Sequence, residues 1–175
     1  MKKKFVDYFM DVAERTSKLS YAKRLQVGAI IVKDDRIISI GYNGMPSGWD
    51  NNCEDKVWGK SAGGWLSPEE IEEQYPYEGT YINETLTEIK SRYALKTKPE
   101  VLHAETNAIS KLAKSNEAGA NATMFCTHAP CIDCAKLIYQ SGINNVYYRD
   151  TYRDDSGLKF LEQSNVSVTK YTIQD

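Results

Sequence analysis

Apolar side chains at Phe5, Phe9, Val12 and Ala13 recur at helical spacing with charged residues between them, so residues 2–19 read as an amphipathic helix. The period then changes. "VGAIIV" (27–32) is a continuous apolar run rich in β-branched residues, "KDDR" is a tight turn, and "IISIGYNG" (37–44) follows as a second strand. Together they predict an antiparallel hairpin. Glycines and a proline in "GYNGMPSGWDNN" mark the loop beyond it.

Residues 54–100 interrupt this order. "SPEEIEEQ" (67–74) has a serine cap, a proline at the first helical position and acids in the first turn, which predicts a short helix. "INETLTEIKSRYAL" (82–95) fits a further helix. The remainder, with "GGW" and "YPYEG", reads as an irregular insertion at about 54–100 within a single domain spanning 1–175. Insertions of this size serve as lids or binding loops.

Beyond it, "HAETNAISKLAK" (103–114) predicts a helix with Ala104, Ala108, Ile109 and Leu112 on one side. "ATMFCT" is a strand, and "CIDCAKLIYQSG" is a helix closed by a glycine. "NNVYYR" is the next strand, 156–163 a last helix, and "VSVTKYTI" a final strand. Alternating helices and strands imply parallel strands joined by right-handed crossovers. The expected fold is α/β: a three-layer α-β-α sandwich around one mixed five-stranded sheet.

Composition narrows the class without changing this picture. The 175 residues are 41% hydrophobic and 26% charged, enough for one domain with a core. A net charge of -2 argues against binding nucleic acid or an anionic membrane, so an anionic ligand needs a local basic cluster. Asp7, Asp11 and Glu14 interrupt what would otherwise resemble a signal peptide after "MKKK". No run approaches the roughly 18 apolar residues of a membrane span. Four cysteines are too few for a secreted disulfide scaffold, and a reduced, cytoplasmic setting is expected.

The chemistry concentrates in "HAE" (103–105) and "PCIDC" (130–134). Cys131 and Cys134 at a helix start can turn both sulfurs to one point, where unpaired N–H groups stabilise thiolate. Pro130 suits a helix start because it has no N–H to lose. His103 opens the other helix, so two helix N-termini can converge on one zinc ion. Three protein ligands leave the fourth tetrahedral position open, as in a catalytic site. Glu105 is positioned to take a proton from an activated water and pass it to a leaving group.

Other readings of the cysteine pair remain. A thioredoxin-like redox couple wants a βαβ context before the motif. A structural zinc wants a fourth ligand, and Cys126 and His128 lie on a strand whose alternation turns them away from their neighbours. Cys53 reads as a loop or core thiol, and His128 as part of a pocket wall or a surface histidine.

H-x-E followed by P-C-x-x-C is the signature of zinc nucleobase deaminases. "QVGAIIV", "RIISIGYNGMPSG", "HAETNAI", "APCIDCAKLIYQSGI" and "DTYRDDSG" occur in the order seen in the deoxycytidylate (dCMP) deaminase family, phage types included. By these motifs the chain resembles that family, within the zinc-dependent cytidine deaminase superfamily, over most of its length outside 54–100. "GYNGMPSG" is the piece that narrows the match. The resemblance implies a cytidine deaminase-like fold and hydrolysis of dCMP to dUMP and ammonia, feeding thymidylate synthesis. It implies zinc on His103, Cys131 and Cys134, with Glu105 protonating N3 and then the departing amine.

It further implies that Tyr152 stacks on the base, that Asn43 hydrogen-bonds the nucleoside, and that Ala104 and Ala129 line the substrate. Lys23 and Arg24 are the candidate 5′-phosphate ligands, with an exposed surface pair as the alternative. Allostery is implied too: dCTP with Mg2+ activates, dTTP inhibits, and Gly41, Tyr42, Asn43, Gly44 and Lys114 hold the effector in a homo-oligomer, a hexamer by resemblance. The glycines of that set also read as turn-formers after the second strand. A second, structural zinc is not expected, since only Cys53 stands near the insertion and no histidine precedes His103. Competing functions are a deaminase of a free nucleoside or other amino-heterocycle, a nucleic-acid deaminase, and a non-catalytic nucleotide-sensing zinc module.

Overall fold

A computed structural model of the chain describes residues 1–59 and 67–172. The "GGW" at 63–65 and the last residue of "VSVTKYTI" lie outside the described residues. Contacts divide the chain into two compact units, Met1–Asn51 with Glu100–Asp175, and Asn52–Pro99.

The first unit carries the expected sandwich. Strands β1 (Gly28–Lys33) and β2 (Arg36–Tyr42) form the antiparallel hairpin. Its two-residue turn puts Asp34 at φ 50° and Asp35 at φ 57°, the left-handed pair that matches strand twist. In the whole chain's order, the sheet continues from β1 to β6 (Thr123–His128), antiparallel, and then to β7 (Asn145–Asp150) and β8 (Ser167–Lys170), both parallel. The strand order is β2-β1-β6-β7-β8. The run Ala29–Val32 is unbroken in hydrophobicity because both of its faces are covered.

Helix α1 (Lys3–Ser17) covers one face, packing Phe9, Met10 and Ala13 against Ile30, Val32 and Phe125. The alternate residues Ala29, Ile31, Met124, Cys126 and Val146 face the opposite cluster. That cluster includes Ala104, Ala108 and Leu112 of α3 (Ala104–Leu112), Ala135 and Ile138 of α4 (Ile132–Gln140), and Leu161 of α5 (Ser156–Gln163). Gly41 matters here. A Cβ on it would collide with the carbonyl oxygen of Ala104 and the nitrogen of Ala108, so β2 and α3 meet backbone to backbone.

The second unit corrects the reading of 54–100 as irregular. Strands β3 (Glu54–Trp58), β4 (Tyr77–Ile82) and β5 (Glu88–Thr97) form an antiparallel sheet in the order β3-β5-β4, with α2 (Pro68–Gln74) between β3 and β4 in sequence. Helix α2 starts on the expected serine cap, which the structure extends to a capping box: Glu70 N–H donates to Ser67 Oγ at 3.2 Å and Ser67 N–H to a Glu70 carboxylate oxygen at 2.7 Å. "INETLTEIKSRYAL" is not a helix. Asn83 Oδ1 accepts from the N–H groups of Thr85 and Thr87, turning the chain, and Ile89, Tyr93 and Leu95 then follow the two-residue strand period. Trp58 packs its ring 5.0 Å from those of Tyr81 and Tyr93, so aromatics replace an aliphatic core in this small sheet.

Candidate metal centre

The site forms where two helices begin. His103 is the N-cap of α3 (φ -71°, ψ 155°) and Cys131 the N-cap of α4 (φ -70°, ψ 169°). Extended backbone at both caps lets the side chains lie across the helix ends instead of down their flanks. Cys134, one turn into α4, is buried. His103 Nδ1 lies 3.5 Å from Cys131 Sγ and 3.4 Å from Cys134 Sγ, and the three donor atoms fall within 4.8 Å of one another.

This set fits zinc. Zinc–sulfur and zinc–nitrogen bonds of about 2.3 and 2.0–2.1 Å at a tetrahedral angle would hold S and N about 3.6 Å apart, close to the spacing found. One imidazole and two thiols are the borderline-soft donors that zinc takes. The thiols are already unequal: hydrogen bonding from Cys134 and His103 holds Cys131 well below the usual thiol range, while Cys134 is pushed up. His103 is raised, chiefly through its hydrogen bond with Cys131.

Glu105 sits on the same helix turn as His103 and is only 4% exposed. Burial raises its carboxyl to about 6, against the opposing pull of its own backbone N–H and of His103. A carboxyl near neutrality exchanges protons readily at physiological pH. Cys126, on β6 beneath it, is pushed far up by burial and by the charge of Glu105. It stays a neutral thiol in the core and is not part of the donor set.

Gly157 on α5 completes the support. A Cβ there would collide with the carbonyl oxygen of Pro130 and the backbone of Cys131, so α5 lies directly against the chain entering the motif. Sequence reasoning passed over it; a glycine at the second position of an amphipathic helix was the available signal.

The remaining predicted residues divide. Tyr152, just past β7, is half-buried against the core, with the Arg153 guanidinium 5.5 Å from its ring. Ala104 and Ala129 are buried, and the Ala129 N–H donates to the Asp150 carbonyl at 2.8 Å. Asn43 is committed to the chain before β1: its Oδ1 accepts from Val27 N–H at 2.8 Å and its Nδ2 donates to Leu25 carbonyl at 2.8 Å. Ser20 Oγ donates to the Asn43 carbonyl, and Gln26 Nε2 to that of Ser20. These staples shape the exposed segment bearing Lys23 and Arg24.

Gly41 and Gly44 do not act as turn glycines. Neither has positive φ, which among the described residues falls instead to Gly48 in this loop (φ 88°). Gly44 exchanges backbone hydrogen bonds of 3.1 and 2.9 Å with Leu102, tying the loop to the residue before His103. Tyr42 receives Asn107 Nδ2 on its carbonyl and has Lys111 Nζ 5.4 Å from its ring. Lys114 is exposed in the turn after α3. His128 is half-buried beside the motif, its Nδ1 3.1 Å from Thr127 Oγ1 and its Nε2 3.8 Å from the Asp150 carboxylate.

An α-β-α sandwich that brings His, Cys, Cys and a buried Glu together at two helix N-termini defines a zinc-dependent deaminase centre. The family described as "Cytidine and deoxycytidylate deaminase zinc-binding region" matches residues 3–150, and the chain belongs to this family. It is 36% identical to the deoxycytidylate deaminase of Enterobacteria phage T4 over 151 residues, 82% of this chain and 76% of that one. Against the deoxycytidylate deaminase of Homo sapiens it is 34% identical over 152 residues, 85% and 66% of the two chains. The dCMP deaminase of cyanophage S-TIM5, solved in complex with dCMP and dUMP, superposes with a TM-score of 0.72. Identity there is 37%, covering 98% of this chain and 99% of that one.

Proposed function

We propose that the chain hydrolyses dCMP to dUMP and ammonia, with zinc held by His103, Cys131 and Cys134. The observation that carries this reading is the convergence of those three donors within 4.8 Å beside a carboxyl buried on the same helix turn. Zinc bound there supplies the Lewis acidity that makes water nucleophilic near neutral pH. Glu105 takes the proton from that water and delivers it to N3 of the cytosine as oxygen adds to C4. It carries the second proton, from the hydroxyl now on C4, to the amino group, which leaves as ammonia while C4 keeps the oxygen as a carbonyl. Its burial keeps the carboxyl poised between its two protonation states through both transfers.

Tyr152 holds the base flat by stacking, a positioning role. Ala104 and Ala129 present backbone to the base, and Asn43 shapes the nucleoside end while fastening the segment that offers Lys23 and Arg24 to the 5′-phosphate. The relatives' deoxycytidylate deaminase names support the monophosphate as substrate. The product then feeds thymidylate synthesis in the cytoplasm. Gly41, Tyr42, Asn43, Gly44 and Lys114 take dCTP with Mg2+ as activator and dTTP as inhibitor in a homohexamer. The stretch at about 54–100 is read as an insertion within one functional domain spanning 1–175.

The test is loss of cytosine absorbance with dCMP and with deoxycytidine in parallel, each with and without added dCTP or dTTP. Turnover of dCMP that responds to the triphosphates is expected. Turnover of deoxycytidine alone overturns the nucleotide reading in favour of a free-nucleoside deaminase.

A further inference from the structure

Cys134 raises a question that its neighbours answer. The residue is only 1% exposed, so water has little access to solvate the thiolate that zinc requires. His103 and Cys131 within its hydrogen-bond reach are themselves metal ligands, and Glu105 beside it is a carboxylate. Thr106 brings a hydroxyl. Its Oγ1 lies 3.6 Å from Cys134 Sγ, within reach for sulfur, and it stands one residue beyond Glu105 on α3.

A helical threonine ordinarily turns its hydroxyl back to the carbonyl three or four residues earlier. Here the hydroxyl lies instead across the helix interface, within reach of the sulfur of α4.

We infer that Thr106 is a positioning residue for the metal centre, donating its O–H to the Cys134 thiolate and thereby orienting that ligand and drawing electron density from it. A hydrogen-bonded thiolate donates less charge to zinc and leaves the metal the stronger Lewis acid. The bond also links α3, which carries His103 and Glu105, to α4, which carries Cys134. Thr106 never touches the substrate; it acts through the sulfur. This inference rests on zinc being held by the three residues above.

The experiment compares wild type, Thr106→Val and Thr106→Ser as full chains. Valine keeps the branched shape without the hydroxyl, and serine keeps the hydroxyl without the methyl. Zinc affinity is read by competition with a chromogenic chelator, and the cobalt-substituted proteins are read by their sulfur-to-cobalt charge-transfer band. Thr106→Val is expected to weaken zinc affinity about tenfold or more, as lost outer-shell partners do. Its cobalt band should move to longer wavelength, because an unbonded thiolate holds its electrons less tightly. Thr106→Ser should restore both.

Thr106→Val with wild-type affinity and band overturns the inference. So does a serine variant as impaired as valine, since the methyl packing would then be responsible. A wild-type chain that holds no zinc overturns the zinc reading itself and this inference with it. Stoichiometric zinc in wild type separates the two failures.

Discussion

At the scale of single residues, the proposed chemistry rests on Glu105 and on what surrounds it. Its carboxyl is raised because it is buried, and it is absent from the donor set of three. Glu105→Gln should therefore keep stoichiometric zinc while losing about 10²–10⁴-fold in dCMP deamination rate, the usual worth of a positioned acid–base group. Metal analysis beside a single-turnover assay checks both halves. An active Glu105→Gln variant would remove the proton-shuttle assignment.

His128 makes a separate prediction. Burial lowers its pKa below 6.5, with Asp150 opposing and Arg149 reinforcing the shift. The folded chain thus binds fewer protons at this group than the unfolded chain does once pH falls through 6.5. Stability from this position is fully present above about pH 6.5 and is lost as pH drops toward the folded pKa. Denaturant titrations of wild type and His128→Gln at pH 7.5 and 5.5 should show wild type losing ground to the variant at the lower pH. His128 itself was legible only as a residue near the motif; its half-buried contact with Asp150 follows from the pairing of β6 and β7.

At the scale of elements, the helix-forming half of the site was plain from local pattern. The first helix, the hairpin, and the helices at 104–112, 132–140 and 156–163 all lie where hydrophobic period and caps place them. Local pattern failed at 82–95. That stretch carries good helix formers, but Asn83 and Thr85 prefer their own turn and the alternate apolar side chains need a sheet partner to bury against. Gly41 shows a different limit. Its glycine character is demanded by Ala104 and Ala108 of α3, which lie far along the chain, and no local window contains those partners. Gly41→Ala should push the first turn of α3 outward, costing about 1–3 kcal/mol as overpacking does. Because that turn carries His103 and Glu105, zinc affinity and activity should fall with it. Gly48→Ala, with open space around its Cβ position, serves as the comparison: it meets only backbone strain at φ 88° and should leave zinc affinity unchanged.

For the whole molecule, zinc in the proposed site would be both reagent and fastener. Held by His103, Cys131 and Cys134, it would tie the N-terminus of α3 to that of α4, helices that stand on either side of β6 in sequence. Removing it with a chelator should abolish deamination and lower the melting temperature, since a ligand present at about a thousand times its Kd contributes about 4 kcal/mol. Added zinc should restore both, and differential scanning calorimetry with the absorbance assay follows the two together. Recovery of the melting temperature without activity would separate the fastening role from the catalytic one.

The amino-acid sequence by itself determined the ligand types, their helix-start positions and the order of the sandwich elements, because caps, periodicity and short spacings act within a few residues. Tertiary structure decided the rest. It brought His103 to within 3.5 Å of Cys131 Sγ and within 3.4 Å of Cys134 Sγ, buried Glu105 over Cys126, and turned Thr106 toward Cys134. It also committed Asn43 to the segment before β1 and paired β3, β5 and β4 into a sheet. Each of these depends on which distant surface covers a residue, and burial and pairing across the chain are properties of the packed fold.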